Sequence, residues 1–241
     1  MKQYKIINCP CYNATSEYEV EHFILDKIRK QQGGYTVAIN ALKIVKYNKD
    51  TETKEVIDKA LIQTPDGFGA TFAFKTLFNE NIIRIDLPGI VLKLANKNSL
   101  RVAFIGASEE NNKLAVNNVN LSYPNINTVG RLNGYFKDIN EIYTLISKTN
   151  PHIILIGMGS PKQEIISAKL FQKYPNILFI GCGGRIDVLS GKVKRAPEWI
   201  QKYRLEGAYR VLTQPRRIPD LIKVIKYFYL LYKSKYLKTK Q

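Results

Sequence analysis

The chain has 241 residues, of which 45% are hydrophobic, so it can bury a core and is not disordered as a whole. Its formal net charge is +17, and its two histidines and three cysteines show no metal-ligand spacing, which argues against a zinc site. No run approaches the roughly 20 apolar residues of a membrane-spanning helix. Because the sequence shows no secretory signal pattern and has an odd cysteine count, we expect a cytoplasmic protein.

The first half of the chain predicts alternating short elements. The expected strands cover residues 5–8, 35–39 and 60–63, and the expected helices cover residues 17–31 and a stretch ending near residue 47. The third strand runs into TPDGFG at 64–69, where small residues let the backbone turn tightly before a helix. This pattern places Asp66 on a turn at the end of a strand.

The second half predicts a parallel sheet. Three apolar runs end in glycine, at residues 101–106, 152–157 and 176–181, and helical stretches lie at 111–122, 138–148 and 162–173. Continuous apolar runs are typical of strands buried on both faces. Their alternation with helices predicts an α/β fold with a doubly wound, largely parallel, Rossmann-like sheet. Ligands bind at the carboxyl ends of such strands, so Gly106 and Gly157 are candidate ligand contacts.

The last part of the chain is strongly basic. Residues 192–241 contain 14 lysines and arginines against 3 acidic residues, which indicates an anionic partner. A helix is expected over residues 220–240, with Leu221, Ile225, Phe228 and Tyr232 on one face. Lysines and aromatic residues together are typical of a helix that lies on an anionic membrane surface. A tail helix packed on the core or on a partner is the alternative, and no known nucleic-acid-binding module accompanies the charge.

GMGSPKQE at 157–164 follows a predicted strand and opens a predicted helix. Glycines there allow a ligand to approach the backbone, and free amides at a helix start suit phosphate. Gly157, Met158 and Gln163 are therefore candidate contacts. A plain tight turn between strand and helix is the alternative.

GCGGRID at 181–187 repeats this arrangement after the next strand. Behind Gly183 and Gly184, the carboxylate of Asp187 could bind sugar hydroxyls, and the alternative is that Asp187 caps a helix. Neither the GxGxxG pattern nor the Walker pattern is present, which disfavours ATP hydrolysis.

The order of the motifs is more specific than any one of them. The sequence reads DGFG at 66–69, NGYF at 133–136, GMGSPKQE at 157–164, GCGGRIDVLSGKVKRAPEW at 181–199 and YRVLTQPRR at 209–217. From about residue 37 to residue 217 the chain resembles the WecG/TagA/CpsF family, glycosyltransferase family 26. The resemblance implies an inverting, metal-independent enzyme that needs no cofactor and works at the inner face of the bacterial cell membrane. Such enzymes transfer N-acetylmannosamine or a related sugar from a UDP-sugar to a polyprenyl-diphosphate-linked sugar, in polysaccharide or teichoic acid synthesis.

Family roles carry over where the residues match. Asp66 matches the proposed general base, which takes the proton of the acceptor hydroxyl, although an Asp-Gly pair can also simply form a turn. Tyr135 matches a position that packs on the uracil ring. The other matching substrate-binding positions are Asn40, Arg84, Gln163 and Asp187.

The C-terminal arginines match the family's appendage. Without a metal, Arg210, Arg216 and Arg217 are the groups expected to stabilise the charge that develops on the leaving diphosphate. A solvated or lipid-facing basic patch is the alternative. We expect a catalytic domain of residues 1–195 and a membrane-docking appendage of residues 196–241. Whether the protein forms a homo-oligomer is left open by the sequence.

Three positions depart from the family pattern. Ala38 replaces the threonine of Thr-x-Asn, Pro88 stands in a segment where the glycine of Glu-Arg-x-x-Gly is displaced, and Asn133 replaces a histidine. These departures lie where the sugars would bind, so the identity of the sugar is open. Because of these departures, a non-catalytic protein that binds a nucleotide sugar is an alternative function. The high positive charge gives a second alternative, a basic nucleic-acid-binding protein.

Overall fold

The computed structural model describes residues 1–83, 85–193, 197, 200, 209 and 218–238. The strands are β1 (Gln3–Ile6), β2 (Cys9–Tyr12), β3 (Gly34–Ile39), β4 (Ile62–Pro65), β5 (Arg101–Gly106), β6 (Asn127–Leu132), β7 (Ile153–Gly157) and β8 (Leu178–Gly181). The helices are α1 (Glu17–Arg29), α2 (Ala41–Tyr47), α3 (Thr51–Asp58), α4 (Gly67–Phe78), α5 (Leu87–Lys97), α6 (Glu109–Ser122), α7 (Asn140–Thr149), α8 (Lys162–Lys173), α9 (Arg185–Leu189) and α10 (Ile218–Lys238). This alternation confirms the predicted α/β class.

Within the described residues, six strands form one sheet in the order β4-β3-β8-β7-β5-β6. The pairs β3 and β8, β8 and β7, β7 and β5, and β5 and β6 are parallel. Residues 102–105 of β5 and 153–156 of β7 are completely buried, which is why these strands appear in the sequence as unbroken apolar runs. The predicted Rossmann-like sheet is confirmed, and the glycine motifs follow its strands at their carboxyl ends.

The chain divides into two compact units. The first unit comprises residues 1–16, 37–85 and 196–241, and the second unit comprises residues 17–36 and 86–195. Residues 196–241 thus group with two earlier segments of the chain. That they form a membrane-docking appendage to a catalytic domain of residues 1–195 stays a prediction.

In the second unit, polar side chains link neighbouring strands at both ends. The buried Asn112 amide on α6 donates to the carbonyl oxygens of Gly106 (2.8 Å) and Leu132 (3.1 Å), which joins the ends of β5 and β6. Before β7, His152 Nδ1 accepts a hydrogen bond from the Arg101 backbone (3.0 Å). Burial lowers the pKa of His152, and the neighbouring Arg101 charge lowers it further, so the neutral ring is favoured.

The first unit begins with a hairpin that the sequence analysis did not predict. Ile7 and Asn8, with φ of 49° and 68°, connect the antiparallel strands β1 and β2. Two residues of positive φ reverse the chain as in a type I′ turn, so the strand predicted at residues 5–8 was wrong beyond Ile6. The strand predicted at residues 60–63 lies two residues later, at Ile62–Pro65. Helices α3 and α5 and strand β6 were also not predicted.

Helix α10 packs one face against α4 of the same unit. Tyr227 and Leu231 are fully buried, and the Tyr227 hydroxyl donates to the carbonyl oxygen of Gly69 (2.7 Å) near the start of α4. The Phe228 ring lies 5.8 Å from the Phe72 ring, centroid to centroid. Phe228 is half-buried and packs on other rings of the first unit, so it does not share the exposure of Leu221, Ile225 and Tyr232, with which the sequence analysis grouped it on one face. The alternative of a tail helix packed on the core holds for this face.

The opposite face of α10 is exposed. Ile222, Ile225, Tyr229, Tyr232 and Tyr236 follow one another at steps of three and four residues, and each side chain is more than half exposed. We call these five residues the tyrosine face. None of the described helices is long and apolar enough to cross a membrane.

Candidate active site

Two glycine loops of the second unit touch each other at the carboxyl ends of β5 and β7. A side chain at Gly106, which has φ +131°, would overlap the carbonyl group of Gly157. The Ala107 backbone donates to that carbonyl oxygen (3.1 Å), and Ala107 itself has a φ of 57°. A non-glycine residue in this region carries strain, which is common at ligand-binding loops.

Gln163 fastens the loop that follows β8 to the start of α8. Its side chain is 5% exposed, and Oε1 accepts a hydrogen bond from the Gly183 backbone (3.0 Å). Its Nε2 donates to Glu164 Oε1 (3.1 Å). Gln163 thus braces the two glycine motifs against each other, a role that the sequence analysis did not foresee. Its contact with the sugar donor stays a prediction.

These loops border open space. A Cβ built at Gly159, Gly183 or Gly184 would meet no described atom within 4 Å. Gly183 has a φ of +54°, which a residue with a side chain adopts only at a cost. Half-exposed Met158 lies in the same strand-to-helix connection. The loops therefore offer backbone groups to a ligand.

Asp187 lies inside α9 and does not cap it. The cap position is Gly184, so the helix-cap alternative is wrong. Asp187 Oδ1 accepts a hydrogen bond from Asn111 Nδ2 (2.7 Å) in the first turn of α6. This bond fixes a half-buried carboxylate close behind the glycine loop, which suits the predicted binding of sugar hydroxyls.

The loop after β6 presents an exposed aromatic ring. Tyr135 is 80% exposed, and its backbone donates to Asn133 Oδ1 (2.8 Å). Asn133 Nδ2 in turn donates to Glu109 Oε2 (3.2 Å), and Glu109 Oε1 pairs with Arg131 Nη1 (2.5 Å). The hydrogen bond from Arg131 is the main reason why the pKa of Glu109 is lowered, followed by that from Asn133. The departure at Asn133 thus belongs to a network that holds the Tyr135 loop.

That loop also meets the first glycine loop. The Gly134 backbone donates to the Ala107 carbonyl oxygen (2.8 Å). Lys162 Nζ lies 5.4 Å from the centre of the Phe136 ring and 3.5 Å from the Gly134 carbonyl oxygen. The second unit therefore brings together the predicted contacts that follow β5, β6, β7 and β8.

In the first unit, Asn40 and Asp66 follow the adjacent strands β3 and β4. The Asp66 backbone donates to the Ile39 carbonyl oxygen (2.8 Å), which places Asp66 beside Asn40. Asp66 is exposed, and within the described residues its carboxylate makes no capping bond to α4. Asp66 therefore takes the N-cap position of α4 without using its carboxylate as a cap. Asn40 Oδ1 accepts from the Lys43 backbone (3.0 Å) and caps α2.

The predicted Arg84, Arg210, Arg216 and Arg217 lie outside the described residues. Among the residues that are described, no group of three histidine, cysteine or acidic side chains could hold a metal ion. Two charged partners were missed by sequence reasoning: Arg185 Nη2 pairs with Asp86 Oδ2 at 3.0 Å. The two residues are far apart in the sequence and share no motif, so no sequence pattern indicates that they pair.

Comparison with known proteins matches nearly the whole chain to one family. A family model described as "Glycosyl transferase WecG/TagA/CpsF family" matches residues 4–241. An N-acetylglucosaminyldiphosphoundecaprenol N-acetyl-beta-D-mannosaminyltransferase of Bacillus subtilis is 31% identical over 234 residues, which cover 94% of this chain and 90% of the relative. A protein of the same description from Bacillus spizizenii is 29% identical over 211 residues, with 86% and 82% coverage. The predicted resemblance is confirmed, and the chain belongs to the WecG/TagA/CpsF family of glycosyltransferases.

Proposed function

We propose that this protein transfers N-acetylmannosamine, or a related sugar, from a UDP-sugar to a polyprenyl-diphosphate-linked sugar. It would act as an inverting family 26 enzyme in the synthesis of a surface polysaccharide or teichoic acid. The observation that carries the proposal is the family match over residues 4–241, together with relatives of about 30% identity whose names state this donor sugar and lipid-linked acceptor.

The loops of the second unit support the sugar-donor side of the proposal. Exposed glycine backbone beside a helix start suits a diphosphate, and the Tyr135 ring is exposed for stacking on a base. Asp187, held by Asn111, can accept hydrogen bonds from sugar hydroxyls. The UDP-sugar would lie across these loops.

Asp66 supplies the general base in this proposal. The acceptor hydroxyl oxygen attacks the anomeric carbon of the donor sugar while Asp66 takes the hydroxyl proton. The bond from that carbon to the UDP oxygen breaks, and UDP leaves with inversion at the anomeric centre. Arg84, Arg210, Arg216 and Arg217 would bind the phosphates, and no covalent intermediate or cofactor is needed.

The experiment is an Asp66→Asn substitution. The variant should melt like the wild type and bind UDP equally well, and its turnover on a lipid-diphosphate acceptor should fall by about 10²- to 10⁴-fold. Glu52→Gln, which neutralises another exposed carboxylate of the first unit, is the matched control and should keep full activity. Turnover of Asp66→Asn near the wild-type value would refute the base assignment.

We further propose that the tyrosine face of α10 lies on the anionic inner surface of the bacterial membrane. Its apolar and aromatic side chains are exposed, and Lys226 and Lys233 lie along its flank at helical spacing. Each lysine near an anionic surface contributes about 1 kcal/mol of attraction. Docking there would hold the enzyme beside a lipid-borne acceptor.

Because Tyr227 and Leu231 are buried, deleting α10 would also damage the fold. Point changes on the exposed face are the better test. Ile225→Ser combined with Tyr229→Ser should reduce co-sedimentation with anionic vesicles and leave the melting temperature unchanged. Binding to DNA at moderate salt that exceeds binding to vesicles would favour a nucleic-acid partner instead.

A further inference from the structure

Arg185 is a cation of the second unit and the first residue of α9. It directly follows Gly183 and Gly184, at which an added Cβ would meet no described atom within 4 Å. Its backbone donates to the Cys182 carbonyl oxygen (3.0 Å), so it belongs to the glycine loop after β8. The side chain is 22% exposed, which leaves it accessible from the open space at this loop.

The guanidinium group is held in place from one side. Its Nη2 pairs with Asp86 Oδ2 (3.0 Å). Asp86 is itself fixed, because its carboxylate caps α5 by accepting from the Gly89 backbone. An arginine that is oriented by a fixed carboxylate has lost much of its rotational freedom before any ligand arrives.

The rest of the guanidinium is incompletely satisfied. Arg185 Nε is buried and has no hydrogen-bond partner among the described residues. Because an arginine stays protonated in proteins, this donor cannot be removed by titration. A buried donor without an acceptor is uncommon, and a phosphate oxygen is one group that could supply the acceptor.

The positive charge lies close to the loop. Burial raises the pKa of the Cys182 thiol to about 12, and the Arg185 charge opposes this rise. Lys162, the first residue of α8, lies over the Phe136 ring, and Lys137 lies in the loop after β6. Arg185 is the cation that directly follows the open glycine backbone of Gly183 and Gly184.

We propose that Arg185 binds the diphosphate of the nucleotide-sugar donor through its fork of N–H groups, with Asp86 as its positioning residue. This inference rests on the proposed function. The planar guanidinium matches phosphate oxygens, and it would assist departure of the UDP in addition to the C-terminal arginines.

The test compares ligands that share a base but differ in phosphate. Binding of uridine, UMP and UDP is measured by titration calorimetry on the wild type, Arg185→Gln and Arg185→Lys. We expect Arg185→Gln to weaken UDP binding by about 10- to 100-fold and to leave uridine binding within about twofold. Arg185→Lys should lie between, because it keeps the charge and loses the fork.

Two further variants separate binding from general effects. Asp86→Asn keeps a good helix cap, so it should weaken UDP binding several-fold without changing the melting temperature. Lys148→Gln, which removes an exposed cation at the end of α7 in the same unit, should bind UDP like the wild type.

The outcomes are distinct. If folded Arg185→Gln and Arg185→Lys bind UDP as the wild type does, the assignment of Arg185 is wrong while the proposed function stands. Equal losses for uridine and UDP would also overturn it, because they indicate a purely structural residue. If the wild type itself binds no UDP, the proposed function fails and the assignment fails with it.

Discussion

Gly69→Ala tests how tightly the elements around the Asp66 turn are packed. Gly69 is the third residue of α4, and an added Cβ would lie 2.9 Å from Ala41 Cβ and 3.3 Å from Tyr227 Cε1. Alanine alone would favour a helix by about 1 kcal/mol. Overpacking costs about 1–3 kcal/mol, and Ala41 Cβ cannot move without its backbone. We therefore expect a net loss of up to about 2 kcal/mol, or up to roughly 6 °C in melting temperature.

Thermal and urea unfolding of the variant give this free energy directly. The matched control is Gly69→Ala combined with Ala41→Gly, because the second change removes the atom with which the new Cβ collides. The double variant should recover about 1 kcal/mol relative to the sum of the single changes. A higher melting temperature in Gly69→Ala alone would refute the reasoning, since it would mean that the site has room for a methyl group.

Two predictions concern the second unit. Because the folded-state pKa of His152 is depressed below its ordinary 6.5, its neutral form contributes stability above that pH, and this stability is lost as pH falls through the folded value. Urea unfolding between pH 7 and 5 should therefore show a smaller pH-dependent loss in His152→Asn than in the wild type, and parallel profiles would contradict this. Glu109→Gln should loosen the Tyr135 loop and weaken uridine and UDP binding equally, by about threefold, in calorimetry. A selective loss for UDP would indicate that Glu109 acts on phosphate instead.

The sequence predicted the inner strands of the sheet well because they are buried on both faces, whereas the edge strand β6, which has no buried residue, was missed. Strand β5 and helix α8 have the predicted bounds, since an unbroken apolar run and a glycine–proline turn mark them locally. The β1–β2 hairpin was missed because its turn uses Ile7, a β-branched residue that seldom adopts a positive φ. No local sequence pattern predicts a positive φ at such a residue.

The candidate site was predicted less evenly. Asp66 and Asp187 could be chosen as candidates from the sequence because Asp66 follows a strand and Asp187 follows a glycine motif. The partners that fix such residues could not be chosen, because they come from elsewhere in the chain: Asn111 is 76 residues from Asp187. Gln163 was predicted to contact the sugar donor, which stays a prediction, and its two hydrogen bonds within the protein were not foreseen. Motifs reveal which groups are present, and only packing reveals how they are used.

The hydrogen bond from Tyr227 to Gly69 joins residues 158 positions apart and has a consequence for synthesis. A ribosome delivers the chain from its N-terminus, so the turn that carries Asp66 emerges long before the helix that packs against it. All segments of the second unit, by contrast, are complete by residue 195. We expect the glycine loops to form while the chain is still growing, and the Asp66 turn to reach its final packing only once α10 has emerged from the ribosome. The proposed general base would thus reach its final surroundings later than the glycine loops do.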